Sequence, residues 1–284
     1  FSGAVSGPIA EDRFFFRFSG AYVNYDGLIF DPGLNDEADT ADEVTFSGQI
    51  KAILSENLTV DIRGRRVDGK WGGTLMEIVS DSTYLDFSVF PNRDLKNADD
   101  RTIDEWSLAV EYVTDFGTLN STSGYSKSKS TFVGDADFGP LDIAQQLDRN
   151  GMEAFNQDIR FTSPDDQRLR WIVGGFYQDR DTNGDLLVGA TPTTVILPTG
   201  LVLARSIVDK GSEAWALYGQ ANYDLLDNLE LTVALRYDED KRFVDDTLTE
   251  GSFISESYSQ LQPKASLAYR WGESVMVYAS YGRG

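Results

Sequence analysis

The sequence predicts an all-β fold, an antiparallel transmembrane β-barrel, and three observations carry that prediction. Apolar and polar residues alternate with period two over segment after segment. Tight turns alternate with long polar connections, as in an outer-membrane barrel with clipped turns on one side and large loops on the other. No run approaches the ~20 apolar residues a transmembrane helix requires, so a membrane crossing has to be made by strands whose ladder bonds close on one another.

The elements follow in order. Strands are predicted at 3–8, 13–25, 43–54, 58–67, 104–114, 118–128, 153–162, 169–180, 212–223, 229–243, 260–270 and 275–282. In the third, Val44, Phe46, Gly48, Ile50, Ala52 and Leu54 share one face while Thr45, Ser47, Gln49 and Lys51 share the other. Leu58, Val60 and Ile62 oppose Thr59, Asp61, Arg63 and Arg65; Trp106, Leu108, Val110 and Tyr112 oppose Glu105, Ser107 and Glu111; Leu229, Leu231, Val233, Leu235 and Tyr237 oppose Glu230, Thr232, Arg236 and Asp238. Several segments exceed the ordinary ~5–6 residue strand and suit the ~9–11 residues that cross a bilayer at a tilt. Tyr25, Tyr112, Phe161, Tyr177, Tyr223, Tyr237, Tyr269 and Trp271 stand near segment ends, where amphipathic rings form interfacial girdles. The tight turns fall at Ser55-Glu56-Asn57, Asp115-Phe116-Gly117, 163–168, 224–228 and Gly272-Glu273-Ser274, and the long connections at 26–42, 68–103, 131–151, 181–211 and 244–257. No linker or shift in composition divides the 284 residues, so one barrel domain, or part of one, is expected over 1–284.

Composition removes whole classes of function. With 25 Lys+Arg against 46 Asp+Glu the formal charge is 25 − 46 = −21, which repels phosphate backbones and argues against a nucleic-acid partner. Cysteine and histidine are absent, so disulfides, thiolate metal sites and Ser-His or Cys-His catalysis cannot be built. Carboxylate chemistry remains open, but no enzymatic constellation is expected.

Several stretches resemble one family. The opening Gly3-Ala4-Val5-Ser6-Gly7-Pro8-Ile9, followed by Phe15-Phe16-Arg17-Phe18-Ser19-Gly20, is similar to the early barrel hairpin of TonB-dependent outer-membrane receptors. Phe155-Asn156-Gln157-Asp158-Ile159-Arg160-Phe161 and Leu169-Arg170-Trp171-Ile172-Val173-Gly174-Gly175 resemble a mid-barrel hairpin of the same family. Tyr218-Gly219-Gln220-Ala221, residues 229–237, and Pro263-Lys264-Ala265-Ser266-Leu267 leading to Val277-Tyr278-Ala279-Ser280-Tyr281 resemble its later strands. The resemblance implies about twelve strands of a barrel of about 22, with the plug and the closing strands lying outside the chain. It further implies the bacterial outer membrane, a non-enzymatic receptor, and energy-coupled uptake of a scarce solute, foremost a ferric siderophore, with haem, cobalamin and saccharides as the family's other cargoes and a passive porin as the alternative barrel. The implied partners are a TonB-type energy-coupling complex acting through the plug, a small-molecule or metal-chelate ligand, and outer-membrane lipid with lipopolysaccharide.

Candidate sites are few. Arg63, Arg65, Arg170 and Arg236, with Asp61, Glu111 and Asp238, are expected to line the lumen, either meeting solute or forming cross-strand ion pairs. Trp71, before Gly72-Gly73 at the base of the longest connection, can stack on a solute ring or anchor the loop. Asp179, Asp181, Asn183 and Asp185 spell the first half of a structural calcium loop, although Ala190 stands where the bidentate Glu belongs and an Asn-Gly turn explains the stretch equally well. No other cofactor is expected.

Overall fold

The computed structural model describes residues 1–73, 92–190, 200–272 and 274–284. The strands are β1 (Ser2–Ala10), β2 (Phe14–Tyr25), β3 (Phe30–Asp31), β4 (Asp36–Glu37), β5 (Ala41–Ser55), β6 (Leu58–Trp71), β7 (Ala98–Thr114), β8 (Gly117–Asp135), β9 (Ala144–Thr162), β10 (Leu169–Ala190), β11 (Val202–Leu226), β12 (Leu229–Asp246), β13 (Ile254–Trp271) and β14 (Val275–Gly282). Twelve of them form one antiparallel meander in sequence order, with β1 and β14 at its edges; β3 and β4 make a two-stranded ribbon in the connection after β2.

The ladder sorts side chains into two faces, because paired residues of neighbouring strands point the same way. Ile50 pairs with Ile62, Ile62 with Leu108, and Leu217 with Tyr237, so apolar positions stay together across the sheet. Val233 is 50 % exposed, Leu235 49 % and Ile62 46 %, an apolar belt of the kind that an outer-membrane barrel turns to hydrocarbon. The belt ends sharply toward the long connections. Trp106, Tyr125, Phe155, Tyr177, Trp215 and Tyr237 form its last row, and two residues beyond each lie Asp104, Lys127, Glu153, Asp179, Glu213 and Glu239. The boundary slips along the register, with Phe155 opposite Asp179 and Trp215 opposite Glu239, as tilted strands crossing a flat membrane require. Within the belt, β10 runs from Leu169 to Tyr177 and β12 from Leu229 to Tyr237, each about the ~9–11 residues a tilted crossing needs.

Three expectations are corrected. The strands are far longer than predicted at the end facing the long connections: β10 has 22 residues and β11 has 25. Beyond the membrane the outer face no longer needs apolar residues, so the alternation fades while the backbone ladder continues, and most of 131–151 and 181–211 is strand. Residues 74–91 of the 68–103 stretch, 191–199 of the 181–211 stretch and Glu273 of the last turn lie outside the described residues. Tyr25 does not belong to the girdle: Tyr22 shares the face of Phe18 and Phe46, whereas Tyr25 points the other way and its hydroxyl donates to Asp39 Oδ2 at 3.1 Å. The calcium loop is absent as a loop. Asp179, Asp181, Asn183 and Asp185 lie along one face of β10, paired through to β9 and β11. Side chains two apart on a strand are separated by ~6.6 Å, too far to converge on an ion with ligands at ~2.3–2.6 Å. Among the described residues, no group of three or more acidic side chains is placed to hold a metal ion.

Candidate functional site

The face opposite the belt carries the polar rows. Gln49 pairs with Arg63 and Arg63 with Ser107, while Arg65 pairs with Glu105 and Glu105 with Ser126, so period-two alternation delivers both arginines to one wall. Arg63 Nε donates to Asp61 Oδ1 at 2.8 Å and Gln49 Nε2 to Asp61 Oδ2 at 2.7 Å; Arg65 reaches Glu105 at 3.3 Å. With Arg17, Ser47 and Asn156 they line a groove of about 530 Å3. At its floor Gly124 has no side chain, and the Asn156 amide takes that space.

A second network crosses five strands. Tyr218 Oη donates to Asp158 Oδ2 at 2.9 Å, the Arg236 guanidinium lies 5.8 Å from the Tyr218 ring centre, Arg236 holds Asp238 at 2.6 Å, and Gln262 donates to Asp238 at 2.8 Å. Arg170 sits at the opposite end of the wall, beside the tight turns. Its two terminal nitrogens donate to Asp224 at 2.6 and 2.7 Å, to Glu230 at 2.6 Å and to the Gln167 carbonyl at 2.9 Å. That geometry clamps two turns together, and it places Arg170 away from the long connections. The structure therefore joins Arg63 and Arg65 in one groove, puts Arg236 in a separate network and leaves Arg170 remote from both.

Trp71 ends β6 on the polar face. Its ring folds back over Gly69, where an added Cβ would meet ring carbons at 2.2 to 2.8 Å, and the Arg101 guanidinium stacks 5.8 Å from its centre. The ring is thus engaged by two register partners of the strands beneath the connection, Gly69 and Arg101. The arrangement is that of an anchor.

Sequence reasoning missed the joint between connections. Asp31, wholly buried, accepts Arg93 Nε at 2.9 Å and the Arg93 backbone N–H at 3.2 Å, while Gly33 N–H donates to the same carboxylate at 3.0 Å. Lys96 holds Asp36 at 2.5 Å, and Asn97 accepts the Asp135 N–H at 3.0 Å. Two connections, 26–40 and 92–97, are fastened by these contacts to each other and to the end of β8 at Asp135. Asp31-Pro32-Gly33 is a legible turn signal, but its partner lies 62 residues away and no periodicity points there. Asp94 beside the joint has its carboxyl raised above the usual range, first by burial and then by Asp135, with Asp142 and Asp137 adding repulsion. Asp36 is lowered, chiefly by its hydrogen bond from Lys96. Also missed was a notch of about 360 Å3 on the polar face of β10 to β13, lined by Arg180, Lys210 and Arg242.

A family model described as TonB dependent receptor-like, beta-barrel, matches residues 13–284. Among solved structures, the ferric yersiniabactin uptake receptor FyuA from Yersinia pestis is 14 % identical with a TM-score of 0.79, over 98 % of this chain and 43 % of its own. The siderophore receptor PiuA from Acinetobacter baumannii is 14 % identical with a TM-score of 0.76, over 99 % of this chain and 46 % of its own. The copper transporter OprC, 9 % identical with a TM-score of 0.67, matches over 99 % of this chain and 44 % of its own. At these identities the structural likeness is one of fold, and the chain spans less than half the length of each.

Proposed function

The chain belongs to the TonB-dependent receptor-like β-barrel family, a family of outer-membrane receptors, and from that premise we propose that it forms wall and connections of a receptor that captures a ferric siderophore or similar metal chelate. It binds and gates; it does not catalyse. In this reading the solute enters from the side of the long connections and moves along the polar face, and a TonB-type complex supplies the energy through a plug. The observation that carries the proposal is the family match over 13–284, supported by a sheet whose belt fits hydrocarbon while its other face holds Arg63, Arg65 and Arg236 in polar rows. Arg63, Arg65 and Trp71 are proposed to border the solute's route, Trp71 indirectly by setting the base of the longest connection. Outer-membrane lipid and lipopolysaccharide are the proposed neighbours of the belt and of the charged row above it.

The test is uptake of radioactive ferric siderophores by cells carrying the full-length gene as their only receptor of this type. Uptake that stops when the proton-motive force is collapsed supports the proposal. Uptake that continues unchanged at a rate linear in solute concentration assigns the barrel to passive diffusion.

A further inference from the structure

On the polar face some cations hold a carboxylate and others, Arg17 and Arg160 among them, hold none among the described residues. Arg63, Arg65, Arg170 and Arg236 each hold a carboxylate. Arg180 of β10 and Lys210 of β11 hold none among the described residues, and both are exposed. Both open onto the 360 Å3 notch that Arg242 of β12 also lines.

The ladder explains the convergence. Arg180 pairs with Ser212 and Ser212 with Arg242, while Thr182 pairs with Lys210 in the adjoining row. Neighbouring strands lie ~4.8 Å apart, so the backbones carrying Arg180 and Arg242 stand roughly 10 Å apart with a short serine between them. Long side chains flanking a short one leave a notch. Thr182, Ser212 and Tyr258 add hydroxyls to its lining. Two carboxylates must be counted against the cations: Asp240 takes Arg242 at 2.6 and 2.8 Å, and Glu256, opposite Arg242, borders the far wall. Within the notch, Arg180 and Lys210 are the uncommitted charge. Held side by side on adjacent strands, they repel each other until an anion arrives, and a guanidinium beside an ammonium suits a carboxylate or phosphate that accepts two or more charge-assisted hydrogen bonds.

Depth points the same way. Arg180 lies three residues past Tyr177 toward the long connections, and Lys210 lies five residues beyond Trp215 in the same direction, so the notch stands above the level where the belt ends.

We propose that the Arg180, Lys210 and Arg242 notch binds a small polyanion carrying two or more carboxylate or phosphate groups. The proposal rests on the receptor reading only for the direction from which the anion arrives. The test titrates citrate, and separately inorganic pyrophosphate, into the full-length receptor purified in neutral detergent. Wild-type protein is expected to bind at least one of the two, more weakly as salt is raised, while a neutral disaccharide does not compete. The Arg180→Gln/Lys210→Gln double variant should weaken that binding at least tenfold, and Arg180→Lys should hold it within about threefold. Persistence of the heat-resistant folded band in each variant guards against misfolding. Equal anion affinity in the wild type and the double variant overturns the proposal, as does failure of the wild type to bind either anion. Failure of energised uptake beside intact, charge-dependent titration would sink the transport reading and leave the anion site standing.

Discussion

The indole of Trp106 lies over Gly64 on the outer face of the sheet: the two are register partners on β6 and β7, and a Cβ at Gly64 would stand 2.6 Å from ring Cζ3. The bare backbone of a glycine in mid-strand is thereby covered by a neighbouring ring, which also belongs to the aromatic row ending the belt. Gly64→Val must lift that ring. The expected cost is ~1–3 kcal/mol, the usual range for overpacking, read as a lower urea midpoint for unfolding from lipid vesicles. An unchanged midpoint would show that Trp106 has room to move.

Depth on the outer face sets the cost of charge. Leu235→Arg falls within the belt and should destabilise by ~2–4 kcal/mol in the full-length barrel, whereas Glu239→Arg, past the Tyr237 row, should cost ~0–1 kcal/mol. Spin labels at the two positions provide an independent check. Position 235 should respond to a lipid-soluble quencher and 239 to an aqueous one; the reverse pattern would invert the assignment of faces.

Asp31 and Arg93, 0 % and 1 % exposed, fasten two connections through a buried ion pair. Removing either partner strands the other charge in a desolvated place, at ~3–5 kcal/mol. The joint lies outside the belt, so the loss is expected to be local. In Asp31→Ala, amide exchange should accelerate over 28–38 and 92–97 while the strands of the belt keep their protection. Asp31→Leu/Arg93→Leu should recover part of it, since neither charge remains to be desolvated.

The same joint should respond to pH. The Asp94 carboxyl is raised above its unfolded value by burial and by Asp135, Asp142 and Asp137, so its protonated form is favoured by the fold and its contribution fades as pH rises through the raised value. Asp36, lowered by Lys96, acts in the opposite sense and is lost only when pH falls below the ordinary carboxylate range. Above the ordinary carboxylate range the Asp94 effect should dominate: protection of 92–97 rises on acidification from neutrality. Asp94→Asn should weaken that dependence, and Asp135, also raised by burial and by Asp137, should keep the remainder. A pH profile unaltered by the substitution would assign the effect elsewhere.

Arg170 closes the tight-turn end of the wall by joining Asp224 and Glu230, and its replacement leaves two carboxylates facing each other. Arg170→Ala is expected to slow barrel assembly and lower the unfolding midpoint without changing ligand affinity. Weakened affinity in correctly folded protein would instead return Arg170 to the solute's route.

By itself the sequence determined which residues share the apolar face. Alternation is a local property: Val60, Ile62, Leu108, Val233 and Leu235 need only a period of two and a hydrocarbon solvent to share a face, and the tight turns then fix register from their own ends. Strand starts at 58, 169, 229 and 275 were legible for that reason. The far ends were not, because above the membrane β10 and β11 keep their ladder while losing the apolar pattern that announces a strand. Only the tertiary structure decided what depends on pairing across the sheet or between connections. It set Asp179 to Asp185 in an extended strand where the sequence allowed a calcium loop or an Asn-Gly turn, turned Tyr25 toward Asp39, joined Asp31 to Arg93 across 62 residues, and brought Arg180, Lys210 and Arg242 into one notch. Each of these relations is fixed by ladder register or by burial of a distant partner, and neither leaves a signal in the spacing of residues along one segment.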